Sequence, residues 1–297
     1  MQENRFGAER VKGIIFVLLS AVCFSTGGVL IKLIPWGSVT IQGIRSIFAF
    51  FVIALYMAAC RHKFVCNKTV LFGALCNMVM SFTFVAATKL TTAANAIVLQ
   101  FTEPIFVILL LWVIYRKKPG KDAVLACIVV FAGILCFFFE SLSGGAMTGN
   151  LLAVFSGFTY ALVMMMKGFP GADFESSLLI SNACSAIVGL PFYAAETEHS
   201  LTIWGCMVLL GIVQFGFSYI FLSKGLDRVS PVTASLTSTI EPILNPLLVA
   251  LFYGETIGST AVIGAVLVVG ASTAYNVFDA SKKTKKQKES REAGALT

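Results

Sequence analysis

The sequence predicts an all-α membrane protein of ten transmembrane helices, built as two inverted five-helix repeats. Three observations lead there. The chain is 57% hydrophobic and 12% charged over 297 residues, too apolar for a water-soluble domain. Its apolar residues come in long continuous runs; a hydrocarbon core of roughly 30 Å takes about 20 such residues per helix, whereas a barrel shows short alternating segments. Two runs carry a Glu-Pro pair in mid-run, Glu103-Pro104 in "IVLQFTEPIFVILLLWVIYRK" and Glu241-Pro242 in "SLTSTIEPILNPLLVALFYGE", 138 residues apart.

Residues 1–12 are polar, with Arg5, Arg10 and Lys12, and form a cytoplasmic N-terminus. The apolar run at 13–33 is too long for a signal peptide and lacks a small-x-small cleavage site, so it is the first span. Further spans are expected at 39–59, 69–88, 94–115, 121–139, 149–166, 176–195, 202–222, 231–253 and 258–277. The turn-rich "KGFPGADFE" closes the sixth. Ser230-Pro231 supplies an N-cap and a first-turn proline to the ninth.

With the loops assigned alternately to the two sides, nineteen of the 22 basic residues fall on one side. Lys89 alone falls on the other, while Lys32 and Arg45 lie within spans. This asymmetry puts both termini in the cytoplasm of a cell-membrane protein. Residues 279–297 read as a disordered basic anchor near anionic headgroups; no aromatics interleave the charges, so nucleic acid is not the partner.

The eight Cys fall within apolar runs or beside a cytosolic loop and read as packing residues, not disulfides. His62 and His199 are loop residues, each expected to be solvated, and no span holds a His. Nothing resembles a metal site or a catalytic nucleophile and base. There is no GxxxxGK[ST] loop and no cytosolic domain able to bind nucleotide, so no cofactor is expected. Trp36, Trp112 and Trp204 near span ends read as an interfacial belt, and Lys32 as an interface residue.

The repeat runs through the whole length. "GIIFVLLSAVCFS" from Gly13 aligns with "GNLLAVFSGFTYA" from Gly149, setting Ser20 over Ser156 and Phe24 over Tyr160. "KLTTAANAIVLQFTEP" parallels "GLDRVSPVTASLTSTIEP", and "GKDAVLA" parallels "GSTAVIG". Residues 13–139 form one copy and 149–278 the other. Five spans per copy is odd, so the second copy enters the membrane from the opposite side, the architecture of alternating-access carriers.

On these motifs the chain resembles the drug/metabolite transporter superfamily, in particular its ten-helix EamA-type members. The resemblance implies a central cavity lined mainly by the third, fourth, eighth and ninth spans. One departure is Tyr115-Arg116-Lys117, where a Gly-Glu such as Gly254-Glu255 is common.

The same four spans carry polar residues. Pro104, Pro242 and Pro246 interrupt their helices by removing N–H donors, freeing the carbonyls of Gln100 and Ser238. Thr237, Glu241 and Asn245 recur every four residues with Ser238 alongside, one stripe on an apolar rod. Gln100 with Glu103, Asn77 with Ser81, and Gln214 with Ser218 make similar pairs. A charge near the bilayer centre costs ~2.5–3.5 kcal/mol and commonly marks a pathway. Glu241 and Glu103 are therefore proton-titrating or ammonium-binding groups, or else structural carboxyls bonded to carbonyls their prolines free. Arg45 either attracts an anion, pairs with Glu103 as a charge partner, or snorkels to the outer interface, the reading preferred here.

The function expected is secondary active transport of a small organic metabolite, such as an exported amino acid, around a midplane cavity, with proton coupling open. Alternatives are multidrug efflux, metabolite uptake, and a non-transporting receptor or scaffold. The expected partners are a small-molecule substrate and the lipid bilayer; the sequence leaves the oligomeric state open.

Overall fold

The structure, a computed structural model, describes residues 2–116, 118–141, 147–253 and 259–294, and among these it is helical without strands. The helices are α1 (Gln2–Ser25), α2 (Gly27–Leu33), α3 (Ser38–Ala59), α4 (Lys68–Leu90), α5 (Ala93–Gln100), α6 (Glu103–Tyr115) and α7 (Lys121–Ser141). They continue as α8 (Met147–Met165), α9 (Phe174–Gly189), α10 (Leu201–Leu209), α11 (Ser218–Leu226), α12 (Pro231–Ser238), α13 (Glu241–Tyr253) and α14 (Ser259–Gly294). A π-helical segment, Leu210–Phe217, joins α10 to α11. Seven helical stretches among the described residues are long and apolar enough to cross a membrane. Their outer faces present bare Leu55, Val113 and Ile187, the surface of a protein solvated by hydrocarbon.

Side-chain caps start many of these helices. Asn67 accepts from the Val70 N–H at 2.9 Å and Ser200 from that of Ile203 at 3.3 Å. Thr92 accepts from the Asn95 N–H and Ser230 from that of Thr233; these two caps sit at equivalent positions of the two halves. Each answers one orphan donor of a first turn.

The two Glu-Pro runs are both broken. α5 stops at Gln100 and α6 restarts at Glu103; α12 stops at Ser238 and α13 restarts at Glu241. The breaks fall two residues ahead of the prolines, because a proline is tolerated in a first turn, where its missing N–H is an orphan anyway. The threonine in each break answers a carbonyl: Thr102 Oγ1 donates to Leu99 O at 2.8 Å and Thr239 Oγ1 to Leu236 O at 2.6 Å. Gly157 of α8 lies on the first break; a Cβ there would come 2.5 Å from the Gln100 carbonyl oxygen.

Packing follows an internal two-fold exchange. α4 packs on α8 as α11 packs on α1, and α4 on α9 as the π segment packs on α3. α3 meets α9 and α7 meets α14 across the axis, and α6 touches α12 as α13 touches α5. α3 and α9 approach to backbone contact at Gly43 and Gly189, where a Cβ on Gly43 would lie 2.8 Å from the Gly189 carbonyl carbon.

The N-terminal segment is helical from Gln2, joined to the bundle by Glu9, which pairs with Lys12 at 2.8 Å and Arg228 at 3.1 Å. Three expectations are corrected. The tail is helical through Gly294, where disorder was expected: α14 runs on through Lys, Gln, Glu and Arg, all good helix formers, with no proline to stop it. Trp36 is 2% exposed, not a belt residue; its Nε1 donates to Glu198 O at 2.7 Å and its ring packs on Tyr193 and Trp204. His62 is paired, its Nε2 2.7 Å from Asp173 Oδ2.

Asp173 also caps α9, accepting from the Ser176 N–H at 2.8 Å. Burial opposes its ionisation, but the bonds from Ser176 and His62 outweigh it and hold the carboxyl below its ordinary range. The resulting stabilisation is complete above the unfolded carboxyl value, about 3.9, and is lost as pH falls through the lower folded value. Asp173→Ala should cost about 1 kcal/mol at neutral pH through the lost cap. Asp173→Asn should keep most of the cap and lose this acid-sensitive component, as read by thermal unfolding in lipid nanodiscs from pH 3 to 7.

Candidate functional site

Between the two halves lies a cavity of about 20 Å³, room for about one water. Its polar groups are Arg45 of α3, Gln100 of α5, Gln214 of the π segment and Glu241 at the start of α13. Phe24, Tyr160, Phe215 and Tyr219 form its aromatic wall, and Met80 and Phe84 of α4 complete it. Phe24 meets Tyr160 at 6.5 Å and Tyr219 at 5.1 Å between ring centroids, both edge to face.

Arg45 is the correction of most consequence. It does not snorkel: it is 1% exposed. Its Nε donates to Gln42 Oε1 at 2.8 Å, its Nη1 to Gln214 Oε1 at 3.0 Å, and its guanidinium lies 4.3 Å from the Phe215 ring centroid. Among the described residues it makes no ion pair with Glu103, whose Oε2 accepts from Ser235 at 2.7 Å while Oε1 has no hydrogen-bond partner. The π segment explains how Gln214 and Phe215 both reach the arginine: the wider turn displaces the helical register at the point where α3 passes. Gly211 makes room, since a Cβ there would lie 2.7 Å from the Arg45 carbonyl oxygen.

The structure separates the other predicted residues. Gln100 and Gln214 reach the cavity together with Glu241. Glu103, fully buried, faces α12 through Ser235. Asn77 and Ser81 are buried on α4; Asn77 Oδ1 accepts from Ser181 of α9 at 2.9 Å, and both side chains lie beside the Tyr219 hydroxyl. Ser218 donates to Gln214 O at 2.7 Å, and Ser238 to Ala234 O at 3.0 Å. Thr237 donates to Thr233 O and accepts from Asn276 of α14 at 3.0 Å. The expected stripe is therefore interrupted between Thr237 and Glu241, because the Thr239-Ile240 turn resets the register. Pro104 and Pro242 are buried in the first turns of α6 and α13. The side chains of Asn245 and Pro246, and residues Gly254 and Glu255, lie outside the described residues.

Sequence reasoning passed over Tyr160 and the polar face of α9. A signal existed for each. Phe24 and Tyr160 are repeat mates, and residues near an internal axis meet their own equivalents. Ser177, Ser181 and Ser185 recur every four residues and are all buried.

Each end of the bundle carries its own set of cross-helix contacts. At one, Lys167 Nζ bonds Ser223 Oγ at 2.7 Å and Asp227 Oδ1 at 2.5 Å, and Ser223 donates to Glu175. At the other, the Trp36 cluster packs under the α9–α10 loop, with Gly37 N–H donating to Glu196 at 2.9 Å and Lys89 bonded to the Ile34 carbonyl. His62, Asp173 and Glu175 bring ligand-type atoms within 4.8 Å of one another. Lys167 sits 4.0 Å from Glu175, and both Asp173 oxygens are engaged, so the set fits an ion-pair latch better than a divalent cation.

Comparison with known proteins follows this geometry. The profile of the EamA-like transporter family matches twice, over residues 11–139 and 147–276. An uncharacterized transporter of Archaeoglobus fulgidus is 23% identical, over 85% of this chain and 92% of its own. Human solute carrier family 35 member G1 is 22% identical, over 88% of this chain and 77% of its own. A solved crystal structure superposes with a TM-score of 0.74 at 16% identity, covering 91% of this chain and 98% of the other, a likeness of fold.

Removing an acceptor from Arg45 tests the site's internal wiring. Gln214→Leu should cost about 1.5–3 kcal/mol, the value of a hydrogen bond to a charged group. Ser218→Ala, which removes a hydroxyl that donates to the Val213 and Gln214 carbonyls of its own helix and lies beside Cys23, should cost less than about 1 kcal/mol. Denaturant-monitored unfolding of the two variants in the same detergent checks the contrast.

Proposed function

Because this chain belongs to the EamA-like transporter family, we propose that it is a secondary active transporter that exports a small zwitterionic metabolite, an amino acid being the simplest, by alternating access around the central cavity. It is a multi-pass membrane protein, a carrier and not an enzyme. In this reading the chain crosses the cell membrane ten times with both termini cytoplasmic. Residues 13–139 and 149–278 are the two inverted repeats, with 1–12 and 279–297 at the cytoplasmic face.

The observation that carries the substrate class is that Arg45 and Glu241, opposite in sign when ionised, line one cavity to which both halves contribute. Among the described residues the guanidinium bonds two glutamines and no carboxylate. A buried charge without a counter-charge is costly. A ligand carrying a carboxylate and an ammonium would satisfy both groups at once, its carboxylate on Arg45 and its ammonium on Glu241, with Tyr160 and Tyr219 against its side chain. Glu241 can equally take a proton once the ammonium leaves, which is how a single carboxyl couples export to proton entry.

At about 20 Å³ the cavity is too small for such a ligand, so in this reading substrate binding needs the cavity to widen. Opening toward one side requires breaking the Lys167–Asp227 latch, and toward the other the Trp36 packing. The breaks before Glu103 and Glu241 supply the hinges.

The test is a thermal-shift screen of the purified carrier against amino acids, amines, sugars and drugs, followed by counterflow of any stabilising compound in proteoliposomes. Free α-amino acids should stabilise the wild type, and their amides or N-acyl derivatives should not. Arg45→Gln should weaken the hit by at least about tenfold, near 1.4 kcal/mol. Glu241→Gln should abolish proton-driven transport while leaving the fold intact. Stabilisation by sugars or cationic drugs alone would overturn the zwitterion reading, and a ligand that binds without crossing would make the protein a receptor.

A further inference from the structure

On the outer flank of the bundle, α2, the α10–π segment and α13 enclose a groove of about 360 Å³, much larger than the central cavity. Leu30 and Leu33 of α2, Leu209 and Val213 opposite, and Leu248 and Phe252 of α13 line it. Among the described residues its one polar side chain is Thr26, whose hydroxyl donates to the Cys23 carbonyl at 2.8 Å. Two of its walls belong to stretches apolar and long enough to cross a membrane, Gly7–Leu33 and Leu201–Leu226. Its lips, Leu209 and Phe252, are 50% and 73% exposed and continue the apolar surface of the bundle.

We propose that this groove is a binding site for a single acyl chain of a membrane lipid, seated against the back of the central cavity. Three physical points select that occupant. The groove opens on the protein's lipid-facing surface, so hydrocarbon chains are what adjoins it. Water gains nothing there, because a buried water needs two to four polar partners and the lining spares none. An unfilled void would forfeit the dispersion contacts of every lining atom, and a flexible alkyl chain restores them.

The site is placed to act on the cavity. Thr26 marks the interruption between α1 and α2, and a Cβ on the adjacent Gly27 would come 3.0 Å from Gln214 Nε2. Val213, on the groove floor, immediately precedes Gln214, the residue that holds Arg45. An acyl chain in the groove thus braces the two irregular segments, the Thr26 interruption and the π turn, from the side away from substrate. Lipid and substrate would be separated by little more than the Gln214 side chain. This inference requires only the membrane location and not the zwitterion reading.

The test is native mass spectrometry of the full chain released from nanodiscs of palmitoyl-oleoyl phosphatidylglycerol. Wild type should retain one phospholipid at collision energies that strip the surrounding annulus. Leu30→Trp and Val213→Phe, which fill the groove, should cut that retained population to less than about a tenth by mass action. Leu55→Trp, an equal bulk on the exposed face of α3, should leave it unchanged. Wild type emerging without lipid would overturn the proposal even if neither filled variant folds. So would filled variants that hold lipid as firmly as wild type, or a wild-type dimer that the filled variants alone disrupt, which would assign the groove to a second copy of the chain.

Discussion

Within hydrocarbon, a polar group has no solvent to fall back on, and the buried guanidinium of Arg45 imposes that constraint most severely here. It is held by Gln42 from its own helix, by Gln214 from the π segment and by the face of Phe215. Each partner has structural consequences. Gln214 and Phe215 reach the arginine through a π turn, and that turn lies against α3 only because Gly211 and Gly216 carry no side chain; a Cβ on Gly216 would come 2.8 Å from Val52. The position of α3 then fixes α9, which meets it at Gly43 and Gly189. One buried charge thus sets the spacing of three segments and the wall of the cavity.

The helix breaks obey the same rule. Where the Glu-Pro pairs interrupt regular bonding, Thr102 and Thr239 take up carbonyls one turn back, so the chain can bend without presenting bare backbone to lipid. Because the two breaks are repeat mates, the first half meets the second through equivalent discontinuities, α6 on α12 and α5 on α13. Their carboxyls nonetheless differ in use. Glu103 is enclosed and held by Ser235, whereas Glu241 faces the cavity.

The two ends are held together by unlike contacts. One end relies on charge, Lys167 bridging Ser223 and Asp227 beside Glu175. The other relies on aromatic packing of Trp36 with Tyr193 and Trp204. Partly exposed ion pairs respond to ionic strength and contribute modestly, while apolar packing does not screen, so the two closures weigh differently as conditions change.

The sequence alone determined the helical class, the positions of the breaks to within a few residues and the duplication, because these follow from apolar run length, proline's missing N–H and repeated residue order, all local along the chain. It also marked Gln100, Gln214 and Glu241. The tertiary structure decided which polar residues share a space. Thr237 and Glu241 are four apart, yet the turn between them sends one toward α14 and the other into the cavity. Arg45, near the end of its apolar run, reads as an interface residue until Gln214, 169 positions away, is brought beside it. The rotation of each helix about its axis is set by long-range contacts at Gly43, Gly157 and Gly211, where the absence of a side chain lets two backbones meet. A glycine in a sequence does not say which helix it will touch.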